Sequence, residues 1–335
     1  MQHKDVESNS EKQLSVIIVN YNTNRLTCQC IASIYHETNG IDLEIIVVDN
    51  DSPSEDAVEI VEAFPEVRLI CNPKNEGFGR ANNLGMAQAR GEYILLLNSD
   101  CIVEDRALEK CFAFMESGFA KENNIGLLGC KLVYEDGMEQ NSTYLNGNIW
   151  EYFTTTNPIL NQIRRKVFKS NKFEPNQEGF VVGVSGAFMW FRAEVLKATR
   201  GFDPDFFMYS EETNLCRKRL PGIAKAYYWR GTYLTHLEGK SGKSDLMHLQ
   251  SMVSGALEWY KWGVPSYCLL ILFNLCNWLT LLITLPFISS RNRGQAYKQW
   301  LGIKHLLPYW LYHIPRYGRG WGSRPEPLKI RALRS

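Results

Sequence analysis

Three apolar, β-branched runs in the first hundred residues each end in a polar cluster. Residues 14–20 lead into Asn20-Tyr21-Asn22, residues 43–49 end at Asp49-Asn50, and residues 93–97 lead into Asn98-Ser99-Asp100. A carboxylate at a strand end can accept a ribose hydroxyl or a base N–H, and one at a sheet edge can ligate a divalent cation. Together they suit a nucleoside diphosphate held with Mg2+ or Mn2+. Further along, the adjacent acids Glu211-Glu212 suit a helix N-terminus, where acids complement the dipole. His236 stands just before Gly239-Lys240-Ser241, and one histidine among six identifies nothing by itself. A dinucleotide loop, GxGxxG directly after the first strand, is absent: Tyr21-Asn22-Thr23 stands there. Gly77-Phe78-Gly79-Arg80-Ala81-Asn82 is a near miss in the wrong place, and there is no GxxxxGK[ST].

The elements that must carry these residues alternate between strand and helix. Residues 14–20, 43–49, 67–71 and 93–97 read as buried strands, and residues 25–36, 57–64, 77–90 and 108–115 have helical spacing. That order predicts an α/β fold with a mostly parallel sheet covered on both faces. Ligands of such sheets bind at the carboxyl ends of the strands, so the three polar clusters should converge on one crevice. In the second half, residues 179–192 are apolar and punctuated by glycine and read as a loop entering a strand, with Gly183 and Gly186 allowing close backbone approach. Glu194 should start a short helix, and Glu211-Glu212 a second one running through residues 215–220.

With 335 residues, 45% hydrophobic and 22% charged, the chain has ample material for a core and is neither disordered nor fibrous. The nine cysteines are scattered without a CxxC pair, which points to reduced thiols in a cytosolic compartment. The N-terminal thirteen residues are polar and have no signal-peptide core. The net charge of +1 hides an asymmetry: residues 289–335 hold ten basic residues against one acid, Glu326. Tyr297, Trp300, Tyr309, Trp310, Tyr312, Tyr317 and Trp321 are interleaved with them. Basic residues among Trp and Tyr suit an anionic membrane surface rather than nucleic acid, because the preceding residues 262–290 carry no charge at all. Pro265, Asn274, Asn277 and Pro286 should interrupt that stretch. A single crossing would also part a cytosolic body from a basic tail that prefers the same side. A re-entrant or in-plane helix is therefore expected, with an amphipathic piece over 301–314. A buried helix of a soluble domain is the alternative.

The ordered set VIIVNYN (16–22), IIVVDN (45–50), NPKNEGFGRANNLGMAQARGEYILLLNSD (72–100), VSGAFMWFRAEVL (184–196), GFDPDFFMYSEETNLCRK (201–218) and HLEGKSG (236–242) resembles the family-2 glycosyltransferases. The similarity covers roughly residues 14–245 and is nearest in kind to the rhamnosyltransferase-like branch of bacterial polysaccharide assembly. It implies the GT-A fold, a Rossmann-like mostly parallel sheet flanked by helices, here followed by a membrane-associated helical region. The implied organisation is a polar tail (1–13), a nucleotide-sugar-binding half (14–134), an acceptor and catalytic half (135–245) and the C-terminal region (246–335).

Carried over position by position, the resemblance implies that Asp49 holds the nucleoside and Tyr21 lines its pocket. Asn75, Gly77 and Asn83 lie near the ribose and phosphates, and Ser99 belongs to the DxD-like triplet whose Asp100 ligates the metal. His236 assists at the metal or diphosphate, with Lys240 and Ser241 near the phosphates. Glu212, or else Glu211, is the base. The implied reaction is a single displacement with inversion, from a nucleoside-diphosphate sugar (dTDP-rhamnose first, a UDP-hexose second) to a glycan or polyprenyl-diphosphate-linked acceptor. It would take place at the cytoplasmic face of the plasma membrane with Mg2+ or Mn2+. A degenerate nucleotide-sugar-binding scaffold is the rival function. Three positions depart from the family pattern: Asn98 for the first Asp of DxD, Glu212 for the Asp of Glu-Asp, and Asn214 for the Asp two residues later.

Overall fold

The computed structural model describes residues 12–144, 157, 159–160, 176–237, 245–284 and 311. Strands β1 (Lys12–Asn20), β2 (Leu43–Asp49), β3 (Arg68–Cys71) and β4 (Gly91–Asn98) are parallel, in the spatial order β3-β2-β1-β4. Helices α1 (Asn24–Glu37), α2 (Val58–Ala63) and α3 (Phe78–Met86) connect them. The central strand shows why its run is unbroken. Val16 and Ile18 pack into one core with Ile31, Ile34 and Leu108, while Ile17 packs into another with Leu96, Met189 and Phe202. A strand covered on both faces needs apolar side chains at successive positions.

The second half completes the sheet with mixed directions. Strand β10 (Phe188–Arg192) runs antiparallel to β4 and to β6 (Ile125–Val133), and β11 (Lys225–His236) lies parallel to β6. Strand β5 (Cys101–Val103) and strand β8 (Gly179–Val181) both pair antiparallel with β11. Strands β7 (Thr143–Tyr144) and β9 (Gly183–Val184) form a separate two-stranded ribbon. Helices α4 (Ala107–Glu116), α5 (Gly118–Glu122), α6 (Ala193–Thr199) and α7 (Glu211–Asn214) pack around the sheet, α7 passing into a π-helical turn, Leu215–Arg219.

Strands β5, β6 and β11 escape the hydrophobic pattern for physical reasons. Strand β6 contains Gly129, where a Cβ would stand 2.5 Å from Val184, so a strand-breaking residue is there to admit a neighbour. Strand β11 shifts register against β6 between Trp229 and Tyr233, and the bulge erases its alternation. The helix expected over 77–90 ends at Met86.

Helices α8 (Asp245–Lys261) and α9 (Val264–Thr284) form a third core. Leu249, Val253, Ala256 and Leu257 meet Tyr267, Leu270 and Phe206 there. The breaks expected at Asn274 and Asn277 do not occur. Asn274 Nδ2 bonds the carbonyl of Leu270 one turn back, and Asn277 Oδ1 accepts from Asn157. Pro265 sits in the first turn, where a missing N–H costs nothing. The expectations for Pro286, for 301–314 and for nearly all of the basic tail fall outside the described residues.

The starts of β1, β2 and β4 are tied by Glu44, whose side chain is 5% exposed. It accepts from the Ser15 hydroxyl (2.7 Å), the Arg90 backbone N–H (2.7 Å) and the guanidinium groups of Arg68 and Arg90 (3.0 Å each). Burial acts to raise its pKa, but the hydrogen bonds from Ser15, Arg90 and Arg68 outweigh it and hold the carboxyl below the usual glutamate value. A depressed folded-state pKa stabilises the fold above the unfolded value of about 4.3 and ceases to do so as pH falls through the folded value. Glu44→Gln should therefore cost about 1–3 kcal/mol at neutral pH. Its deficit should shrink in acid, and urea unfolding of both proteins at pH 7 and pH 3.5 checks this. An equal gap at both would contradict the ionic role.

Candidate active site

The parallel register places Asn20 beside Asp49 and Val19 beside Asn98, so the three polar clusters stand at one edge of the sheet. Asp49 is buried, 7% exposed. Its Oδ1 accepts from Asn20 Nδ2 (2.8 Å) and the Ser52 hydroxyl (2.6 Å), and among the described residues its Oδ2 takes only the Ser52 N–H (3.1 Å). One face of Oδ2 is left to accept a further N–H or O–H. Asn20 is the hub behind it, bonding also to Asn24, Thr23 and Thr27. Tyr21 is 43% exposed at the rim, and Ser99 Oγ lies 3.2 Å from Thr23 Oγ1.

Asn75, Gly77 and Asn83 brace this region from within. Asn75 Oδ1 accepts from Asn50 (2.9 Å) and from the Gly77 N–H (3.0 Å). Gly77 has φ +89°, and a Cβ there would fall 1.8 Å from the Phe207 carbonyl, so only glycine lets the two segments meet. The Asn83 amide is taken up at both ends by the backbone of Phe202, at 2.9 Å each.

Asp100 and His236 come together where β5 pairs with the end of β11. Asp100 Oδ1 and His236 Nε2 are 3.2 Å apart, and both residues are buried. An anionic oxygen and an imidazole nitrogen facing each other at that distance fit a divalent cation taking O and N ligands. The Cys101 sulfur lies within 4.8 Å of both. Its thiol points at the carbonyl of Ala187, and burial, with the Asp100 charge second, pushes its pKa well up, so it stays a neutral thiol. Lys240 and Ser241 fall outside the described residues.

The two glutamates differ sharply. Tyr209 and Ser210 both adopt left-handed backbone, φ +70° and +67°, a strained pair of non-glycine residues directly before Glu211. The Glu211 carboxyl turns back onto its own N–H and that of Tyr209, and its pKa is pushed well up by burial, then by the Glu212 charge. Glu211 is 2% exposed, and its Oε2 is buried without a hydrogen-bond partner among the described residues. Glu212 is half-buried and packs its side chain over Gly186. The adjacent Ala187 carbonyl accepts from the Asn98 N–H and the Cys101 thiol. One glycine-containing strip thus separates Glu212 from the Asp100 cluster.

Helix α8 fastens the segment 203–214 that carries the two glutamates, which the sequence patterns did not reveal. Asn214 Nδ2 donates to Glu258 Oε2 (2.6 Å), Ser254 Oγ to the Met208 carbonyl (2.6 Å), and Lys261 Nζ to Asp205 (2.5 Å) and Asp203 (2.9 Å). Glu258 is 4% exposed and also accepts from Trp262. An amide, not a carboxylate, is what position 214 needs opposite that glutamate. Gln140, which bonds the His236 ring, was missed as well, because nothing in its local sequence marks it.

The family model described as glycosyl transferase family 2 matches residues 15–199, more than half of the chain. That span includes Asp49 and Asp100 and ends before Glu211, Glu212 and His236. Glycosyltransferase GlyG of Streptococcus pneumoniae is 33% identical over 103 residues, 30% of this chain and 34% of that protein. The poly(ribitol-phosphate) β-N-acetylglucosaminyltransferase TarP of Staphylococcus aureus is 25% identical over 179 residues, 49% of this chain and 52% of that protein. The matches thus span about half or less of these curated relatives. Among solved structures, a mannosyltransferase from Pyrobaculum calidifontis, in complex with GDP-mannose and Mn2+, superposes with a TM-score of 0.53 at 16% identity. The alignment covers 93% of this chain and 86% of that one, a likeness of fold.

The amide at 214 is open to a direct test. Asn214→Asp sets a second carboxylate against buried Glu258 and should destabilise the protein by about 3 kcal/mol near pH 8. Adding Glu258→Gln to the same chain should restore most of that loss. Urea unfolding of the single and double variants reads both, and an undiminished single variant would remove the matched-pair explanation.

Proposed function

The chain belongs to glycosyl transferase family 2, and from that premise we propose that it is an inverting sugar transferase of cell-surface polysaccharide synthesis. It takes the sugar from a nucleoside-diphosphate donor and passes it to a glycan or polyprenyl-diphosphate-linked hydroxyl. The observation that carries this reading is the Asp100–His236 pair at 3.2 Å, beside Cys101, whose thiol bonds the carbonyl of Ala187, the residue next to the Gly186 over which Glu212 packs. TarP, which by its name acts on a poly(ribitol-phosphate), supports the polysaccharide context. The donor sugar is proposed as rhamnose on dTDP, from the resemblance of residues 201–218 to that branch.

In this reading Asp49 accepts from the nucleoside through its remaining Oδ2 face, with Tyr21 alongside the base. Asn75, Gly77 and Asn83 keep that pocket in shape. Asp100 and His236 hold Mg2+ or Mn2+, which when bound supplies positive charge to the departing diphosphate. Ser99, Lys240 and Ser241 lie toward the phosphates. Glu212 takes the proton of the acceptor hydroxyl as the hydroxyl oxygen attacks the anomeric carbon from the face opposite the diphosphate. Glu211, 2% exposed and held by the Tyr209 backbone, is the second candidate for that base.

Helix α9 supports a membrane-surface location. Its 21 residues carry no charge, and Leu272, Leu279 and Ile283 are 52%, 54% and 71% exposed. The opposite face, Tyr267, Leu270, Phe273 and Leu281, is buried. A helix glued to α8, which in turn grips the segment that carries Glu211 and Glu212, fits an in-plane position on a cytoplasmic leaflet better than a crossing.

Two experiments test these assignments. Offered a panel of nucleotide sugars with Mn2+ and membrane lipid extract, the protein should release nucleoside diphosphate from one donor, expected to be dTDP-rhamnose. Glu212→Gln should lower that rate about 10²–10⁴-fold with donor binding intact, and Glu211→Gln by far less. Donor binding without turnover under all conditions would favour the scaffold alternative. Separately, Leu272→Asp combined with Leu279→Asp and Ile283→Asp should abolish co-sedimentation with anionic vesicles while sparing donor binding. Undiminished sedimentation would remove α9 as the contact.

A further inference from the structure

We propose that Gln140 is the positioning residue that decides which nitrogen of His236 faces Asp100, and so presents the ring as a ready-made cation ligand. This rests on the reading that Asp100 and His236 share a divalent cation. Gln140 is 4% exposed and follows β6, to which its N–H is tied through the Leu132 carbonyl at 2.8 Å. Its side-chain Nε2 has two hydrogens and two carbonyls to receive them: that of His236 at 2.6 Å and that of Val133 at 3.3 Å. Its Oε1 therefore faces His236 Nδ1, at 2.8 Å. Flipping the amide would set Oε1 against both carbonyls, so the hydrogen-bond network fixes its orientation.

An amide oxygen can only accept, so Nδ1 of His236 carries a hydrogen in every state of the ring. A neutral ring then has its lone pair on Nε2, 3.2 Å from Asp100 Oδ1. Two acceptors at that separation repel unless a cation, a metal ion or a proton, sits between them. Outer partners that fix the tautomer of a ligating histidine typically change metal affinity 10- to 100-fold when removed. Gln140 is itself held in place: its carbonyl accepts from Asn176 Nδ2 (2.6 Å) and from the Ser142 hydroxyl (3.1 Å). The residue thus grips His236 by both ring and backbone carbonyl: the carbonyl bond keeps Gln140 beside the histidine, and turning the ring would break the Nδ1 bond.

The test is spectroscopic. The full chain is labelled with 15N-histidine, and two-bond 1H–15N spectra are taken well above the ordinary imidazole pKa of about 6.5. The His236 signals are assigned by their loss in His236→Ala. The wild type should show a protonated Nδ1 and a bare Nε2, and substoichiometric Mn2+ with dTDP should broaden Nε2 first. Gln140→Met, of similar volume but without the acceptor, should lose the pure Nδ1–H form and raise the Mn2+ dissociation constant about 10- to 100-fold, read from the free Mn2+ resonance. A wild-type ring protonated at Nε2 alone overturns the proposal, and that spectrum decides even if the variant fails to fold. An unchanged tautomer and an Mn2+ affinity within twofold of wild type in Gln140→Met overturn it too. An Nδ1–H ring in a protein that takes up no Mn2+ supports the tautomer assignment and overturns the metal reading alone.

Discussion

The pairing of β1 with β2 on one side and β4 on the other is the constraint from which the rest of the site follows. Because both neighbours are parallel and in step, Asn20, Asp49 and Asn98 reach the same edge of the sheet. A slip of one residue in any of these strands would carry its terminal Asn20, Asp49 or Asn98 to the opposite face of the sheet. The Asn20 amide converts that alignment into chemistry. It bonds Asp49 directly and organises Thr23, Asn24 and Thr27 around it, which leaves the carboxylate oriented before any ligand arrives. Such preorganisation is where binding sites gain most, since nothing need be ordered at the moment of contact.

The segment that carries Glu211 and Glu212 is imposed on this frame from outside. Residues 201–210, which precede it, form no helix or strand, yet they meet Gly77 and Asn83 on one side and α8 on the other. The left-handed turn at Tyr209 and Ser210 is unfavourable by itself, and strain of that kind persists only where the surroundings over-determine it. Here they do: Ser254 holds the Met208 carbonyl, the Glu211 carboxyl caps the turn, and Lys261 pins Asp203 and Asp205. Helix α8 is accordingly part of the site's scaffold, even though it lies beyond both the family match and the conspicuous patterns of the sequence.

What was legible in the sequence follows from how local each signal is. The first four strands are continuous β-branched runs, and the polar residues ending them sit where a parallel sheet must put its ligands; both facts survive reading one residue at a time. Strands β6 and β11 were not legible, because Gly129 serves a distant neighbour and the Trp229–Tyr233 bulge breaks the period. The same holds for the site. Asp49, Asp100 and Glu212 stand at ends of elements, whereas Gln140 and Glu258 act through partners 96 and 44 residues away. Asn214 was visible as a departure, and only the tertiary contact explains it.

The other departure, Asn98, can be argued from charge. Its side-chain oxygen is buried and without a hydrogen-bond partner among the described residues. A carboxylate there would be a second anion two residues from buried Asp100, at an oxygen with no hydrogen-bond donor among the described residues. Such a charge is costly unless a cation is always present. With an amide at 98, the Asp100–His236 pair brings a single negative charge to a divalent cation, so on the proposed reading a net positive charge remains to meet the departing diphosphate. Two carboxylates would cancel it. On that reading the neutral residue relaxes the folding cost of placing charge beside Asp100, and would leave more of a bound cation's field for charge developing on the leaving group.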